Sequence, residues 1–175
     1  MDKNLRVKKF SNGDAIPTTV TTTQNIAGET NPVYYWAPNG DQANVSNYGL
    51  LYTSYVATDS RNVCPTGWHV PTSAEWVVLS TFLGEGVAGT KLKTTGVNYW
   101  NHDLGANTTG FSGVGAGIRF AEGSYGAFKI QGEHWSSTSY DALENREFMF
   151  YSQFPQIDNY WRPKKSGLAI RCLKD

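Results

Sequence analysis

The sequence predicts an α+β domain, on three observations. Helical signals fall early and most strand signals late, without the strand–helix alternation of a doubly wound sheet. Charged residues make up only 17% of the chain while aromatics reach 14% (8 Phe, 10 Tyr, 6 Trp), beside 18 Gly and 7 Pro. That mixture suits a loop-rich, strand-containing domain and is the opposite of a coiled coil or a disordered chain. A length of 175 residues is enough for one well-buried core and short for two. The expectation is a single domain over 1–175, with no linker, internal repeat or low-complexity tract.

Leu5-Arg6-Val7-Lys8-Lys9-Phe10 roughly alternates apolar and basic side chains, as a half-buried strand does. Ser11 to Asp14 is a turn signal, and Ala15-Ile16-Pro17 resumes an extended path. Thr18 to Thr23 is β-prone, but Val20 is its only apolar residue, so it reads as edge or loop. Val33-Tyr34-Tyr35-Trp36 is a short strand ended by the turn Pro38-Asn39-Gly40-Asp41. Gly49-Leu50-Leu51-Tyr52 leads to Thr53, placed to cap a short helix.

The clearest local signal lies in Pro71-Thr72-Ser73-Ala74-Glu75-Trp76. Thr72 and Glu75 have capping-box spacing, in which a hydroxyl takes one orphan amide and a carboxylate reaches back to another. Trp76, Leu79, Phe82 and Leu83 then recur at helical spacing as one apolar face, and Gly84 is placed to end the helix. Beyond Gly84 the chain is glycine-rich and irregular as far as Gly110 to Phe120, whose last part alternates like a strand. Phe128 to Ile130, Glu147 to Tyr151 and Gly167 to Cys172 complete the strand set.

Fifteen basic and fifteen acidic residues cancel, so no long-range field gathers nucleic acid or an anionic membrane. No apolar run approaches the roughly 18–20 residues that cross a bilayer, so this chain is not expected to insert. The opening Met1-Asp2-Lys3-Asn4 is polar and is not a signal peptide, so an export signal trimmed away or another route outward is the expectation. His69, His102 and His134 are scattered, without a second ligand at metal-binding spacing, and a hydrogen-bonding role for His69 outweighs catalysis. Phosphate-binding, dinucleotide, nucleophile-elbow and zinc-protease motifs are absent, and no cofactor or metal is expected. Asp158 and Asn159 beside Gln153 and Gln156 bring too few carboxylates together for calcium, and Arg162, Lys164 and Lys165 read as a solvated basic face. Cys64 and Cys172 read either as a bonded pair stapling the C-terminal segment to the core or as two buried thiols.

Trp135 to Arg162 holds eight aromatic rings in 28 residues, about twice the density of the whole chain, interleaved with Ser, Asn, Gln and Asp. Rigid amphipathic rings beside short adaptable polar side chains are the mixture of binding surfaces. Phe154 to Trp161 cannot bury every ring, because Pro155 and the polar residues break any helix or strand period. The alternative is that these rings cap a loop-rich core.

Several longer stretches carry a family resemblance. They are Gly13-Asp14-Ala15-Ile16-Pro17, Tyr48 to Thr53, Cys64-Pro65-Thr66-Gly67-Trp68-His69-Val70-Pro71-Thr72-Ser73-Ala74-Glu75-Trp76, Gly110-Phe111-Ser112 with Ala116 to Arg119, Trp135-Ser136-Ser137-Thr138 and Ile170-Arg171-Cys172. Together they resemble the Fibrobacter succinogenes major paralogous domain, over nearly the whole chain. That resemblance implies a C-type lectin-like fold related to the formylglycine-generating enzyme group, with two helices, a small antiparallel sheet and long irregular loops. It implies termini lying together, with 5–10 pairing against 168–172, and places Cys64 and Cys172 at the family's two structural cysteine positions.

The resemblance further implies a non-enzymatic recognition or adhesion domain in surface lipoproteins and secreted proteins of Bacteroidota. Display on a cell surface, pilus tip or phage tail is expected, with a protein or glycan as ligand. The ligand-contacting candidates within 135–162 are Tyr140, Asp141, Asn145, Glu147, Met149, Tyr151, Gln153, Phe154, Gln156, Asp158, Asn159, Tyr160 and Trp161. The same fold carries retroelement-diversified variable faces, whose Tyr, Asn, Asp and Ser content this segment shares. Gln153-Phe154-Pro155 departs from the calcium-dependent sugar motif, so that activity is not implied. A copper oxidase of the formylglycine-generating type and a structural module of a surface fibre are the alternatives.

Overall fold

A computed structural model describes residues 1–175 as a mixed fold, mostly sheet with a few short helices. In chain order it contains β1 (Tyr35–Trp36), α1 (Val45–Tyr48), β2 (Leu51–Tyr52), α2 (Ser54–Ala57), β3 (Trp68–His69), α3 (Ser73–Leu83) and α4 (Ala88–Leu92). The later elements are β4 (Ile118–Arg119), β5 (Tyr125–Gly126), β6 (Gln131–Ser139), β7 (Glu144–Tyr151), β8 (Ile157–Pro163), β9 (Leu168–Ala169) and β10 (Leu173–Lys174). The main sheet runs β1-β2-β9-β6-β7-β8, antiparallel except for a parallel contact between β6 and β9. β3 pairs with β10 and β4 with β5 in two small ladders. No helix is long and apolar enough to cross a membrane.

Residues directly opposite in a ladder share a face of the sheet. One face of β6 and β7 carries Glu133, Trp135, Glu147 and Met149, and the other carries His134, Phe148 and Phe150. The two faces feed separate cores. Trp135 joins Tyr52, Val56, Ile118, Leu168 and Ile170 around the Cys64–Cys172 disulfide. Phe148 and Phe150 join Trp76, Leu83, Ala88, Leu92 and Trp100, with Trp76 stacked on Phe148 at 5.4 Å. The staple between the cysteines is therefore present, with Cα atoms 5.9 Å apart.

The α3 helix starts as its sequence dictates. Thr72 Oγ1 accepts from the Glu75 amide, and the Glu75 carboxylate accepts from the Thr72 amide at 2.8 Å. Gly84 ends it at φ 90°, a backbone conformation that disfavours other residues. Phe82 departs from the expected apolar face and stands 84% exposed. At 100° per residue it lies about 240° around the helix from Trp76, whereas Leu79 and Leu83 return to within about 60°.

Other departures follow from competition for main-chain partners. Residues 5–10 form no strand: the Leu5 amide donates to Ile170 O and its carbonyl accepts from Leu50, and only Lys9 bridges to Ala15. Phe128 to Ile130 is a turn, since Ala127 and Lys129 have positive φ, and the strand begins at Gln131. The last strand shrinks to Leu168–Ala169, followed by β10. The middle of the chain also folds α4, so there are four α-helices where two were expected. Phe154 to Trp161, read as aperiodic, enters β8 at Ile157.

Candidate ligand face

β7 and β8 position the candidate residues. Their hairpin neighbour, the β6–β7 turn, is set by Asp141, whose Oδ1 accepts the amides of Leu143 at 2.8 Å and Glu144 at 2.7 Å. Tyr140 thereby lies flat against Trp161, with ring centroids 4.8 Å apart and planes 10° from parallel. The Arg146 guanidinium, opposite Trp161 in the ladder, stands 4.6 Å from the Tyr140 ring centre and 5.9 Å from that of Trp161. A cation held against two aromatic faces is electrostatically favourable, and the trio forms a firm exposed ledge. Both rings remain 45% exposed.

Tyr160 and Trp161 are neighbours in β8 and point to opposite faces of the sheet. Tyr160 lies opposite Glu147 and Trp161 opposite Arg146. They form the two flanks of one strand edge. Asn159 is exposed and Asp158 half-buried, and Asp158 makes no ion pair. At the entry to β8, Phe154 is exposed and its ring stands 5.3 Å from that of Tyr151. Gln153 is exposed and hydrogen-bonded to His102 Nε2 at 2.9 Å, while Gln156 is half-buried.

Three candidates are buried and do not reach the surface. Asn145 and Glu147 have no exposed area and Met149 has 4%, because alternate β7 side chains turn into the sheet. Asn145 instead donates to Ser136 O at 2.8 Å. Glu147 belongs to a buried cluster with Glu133 and Arg162. Arg162 donates to both Glu133 oxygens, at 2.9 and 3.3 Å, and its Nε stands 3.2 Å from Glu147 Oε1 without hydrogen-bond alignment. Burial, and then the Glu133 carboxylate, push the Glu147 carboxyl well above the usual range. One guanidinium thus serves two buried carboxyls, and Glu147 is the one left without a hydrogen bond from it.

The loop carrying Gln153 and Phe154 is held from beneath by Lys93, whose ammonium donates to Tyr151 O at 2.6 Å, Phe154 O at 2.8 Å and Ser152 O at 3.4 Å. Burial lowers this lysine to about 8. Lys93, Glu133, Arg146 and His102 escaped sequence reasoning because each acts across the fold.

A separate apolar groove of about 210 Å³ lies between Pro71, Trp76, Leu79, Phe111, Leu173 and Met1. It shares no lining residue with the ligand face. His69 is tied down beside it, its Nδ1 2.6 Å from Asp175 and its Nε2 3.0 Å from Glu75, the structural role expected of it. The model of the Fibrobacter succinogenes major domain matches residues 1–174. No curated protein matches the chain.

Proposed function

The chain belongs to the Fibrobacter succinogenes major domain family, and from that premise we propose that it is a non-enzymatic recognition domain of C-type lectin-like fold. It binds a protein or glycan through the outer part of the β7–β8 hairpin, as part of a bacterial surface, pilus tip or phage tail. The observation that carries this reading is the exposure of four large rings on β8 and the turns at its two ends: Tyr140, Phe154, Tyr160 and Trp161, each 45–47% accessible. Rings held by strand backbone and a neighbouring guanidinium lose little conformational freedom on binding, which is what favours them as anchors. The adjacency of the termini, through the Leu5–Ile170 bond and the Met1 amine on Cys172 O at 3.3 Å, supports the fold assignment.

An array of surface glycans and surface proteins tests the reading. Tyr160→Ala and Trp161→Ala should each weaken binding at least tenfold while leaving the melting temperature within a few degrees. Unfolding by both substitutions would make the rings core and place recognition elsewhere. The oxidase alternative requires free cysteines to hold copper, and Cys64 and Cys172 are joined to each other.

A further inference from the structure

β8 is the last strand of its sheet, with β7 as its one ladder partner. The ladder fixes which of its main-chain groups face outward. Tyr140 N–H donates to Glu144 O and Ser152 N–H to Ile130 O, so even-numbered β7 residues point to β6 and odd-numbered ones to β8. Lys164 N–H accordingly donates to Leu143 O. On β8 the groups of residues 158, 160 and 162 point inward, and those of Ile157, Asn159 and Trp161 point away from the sheet. Those outward amides and carbonyls make no hydrogen bond in the chain.

Unguarded edges are rare, because they invite another chain to pair. This one is closed at both ends and open between them. Before it, Thr90 of α4 donates to Pro155 O at 2.9 Å, and a side chain at Gly89 would collide with the Gln156 carbonyl. After it, Pro163 has no amide and its carbonyl is taken by Ser166. The open slot runs from Ile157 to Trp161, about 16 Å of strand.

We infer that this slot docks a short extended segment of a partner protein, which adds to the sheet as a further strand beside β8. The inference rests on the recognition face proposed above and chooses a polypeptide over a glycan as its ligand. Only another main chain repeats donors and acceptors at the spacing that Ile157, Asn159 and Trp161 present. Alternate side chains of the segment then meet Trp161 with Tyr140 on one flank and Tyr160 on the other. The segment carries a basic residue toward Asp158, because Arg162 is already held by Glu133 and Glu147 and Asp158 is not. A second copy fits poorly: pairing about Asn159 drives its Pro163 against the α4-covered Pro155. Pairing about Tyr160 leaves Ile157 opposite a proline.

Random seven-residue peptides displayed on phage and selected on the full chain supply the probe. Selected peptides should lose at least tenfold in affinity when one alternate set of their amides is N-methylated and little when the other set is. Hydrogen exchange at Asn159 and Trp161 should be fast in the free protein and slow with peptide bound. Asn159→Pro removes an outward amide and leaves the Tyr160 and Trp161 rings in place, so it should abolish peptide binding and spare the β7–β8 ladder. The inference is overturned if those two amides already exchange slowly, or if peptide affinity ignores N-methylation in both sets. A glycan ligand dependent on Tyr160 and Trp161, with no peptide selected, also overturns it and leaves the recognition face standing. Binders of either kind that are indifferent to both rings remove the two readings together.

Discussion

His134 shows what burial does to one titrating group. It has no exposed area, and its Nε2 lies 3.0 Å from Asn4 Oδ1, which also accepts from Arg171 Nε and Nη2 at 3.2 and 2.8 Å. Burial, with Arg171 nearby, holds the imidazole down to about 3, so it folds neutral and donates through Nε2. An unfolded histidine binds its proton near pH 6.5. The unfolded chain therefore takes up more protons than the folded one between about pH 6.5 and 3, and stability falls as pH falls through that window. Its contribution is about 1.4 kcal/mol per pH unit. Urea titrations should show this acid limb, and His134→Gln should flatten it. Glu147 has the opposite sign: its raised pKa means that its contribution is lost as pH rises through the folded value. Glu147→Gln mimics the protonated form and should make the protein at least as stable as the parent at pH 9, and more so than at pH 5. A fall in stability at pH 9 would show that the second charge is tolerated.

At the scale of elements, α3 and β8 mark what was legible. The capping box and Gly84 announce α3 because those signals are local, and they stand where the spacing placed them. Its buried face was only partly readable, since Phe82 alternates with buried positions and nothing nearby in sequence reveals which side meets β7. Trp76→Ala should cost about 3–5 kcal/mol by opening a cavity against Phe148, whereas Phe82→Ser should stay within about 0.5 kcal/mol. Thermal melts of the two variants check the pair. β8 was illegible for the converse reason. Both its faces are partly wet, so it lacks the alternation that buried strands write into sequence, and its partner β7 supplies the order. The aromatic surplus of 135–162 falls across β6, β7 and β8. It could not divide the exposed rings from the buried Asn145, Glu147 and Met149, because that division depends on register.

For the whole molecule, composition limited the outcome more than any motif did. Low charge and abundant glycine match a fold in which 52 of 86 main-chain hydrogen bonds lie outside regular elements. Such a fold leans on long-range ties. The Cys64–Cys172 bond spans 108 residues, and in the chain-entropy picture that is worth about 4–5 kcal/mol. Reduction, or Cys64→Ala with Cys172→Ala, should lower stability by that order in denaturant titrations. Asn4, Arg171 and His134 form a second tie, joining the first residues to the last strand region.

The disulfide also decides how the molecule responds to being pulled. Tension applied between its two ends passes along residues 1–63, crosses the sulfur bridge and leaves through 173–175. Everything between the cysteines, β6, β7 and β8 included, sits in a covalently closed loop that carries no load. Under stretching by optical tweezers the oxidised chain should pay out only its first third. Reduction should release a further 39 nm or so, from 108 residues at about 3.6 Å each. The β7–β8 edge thus lies off the covalent path of the load, while β1 and β2 of the same sheet lie on it.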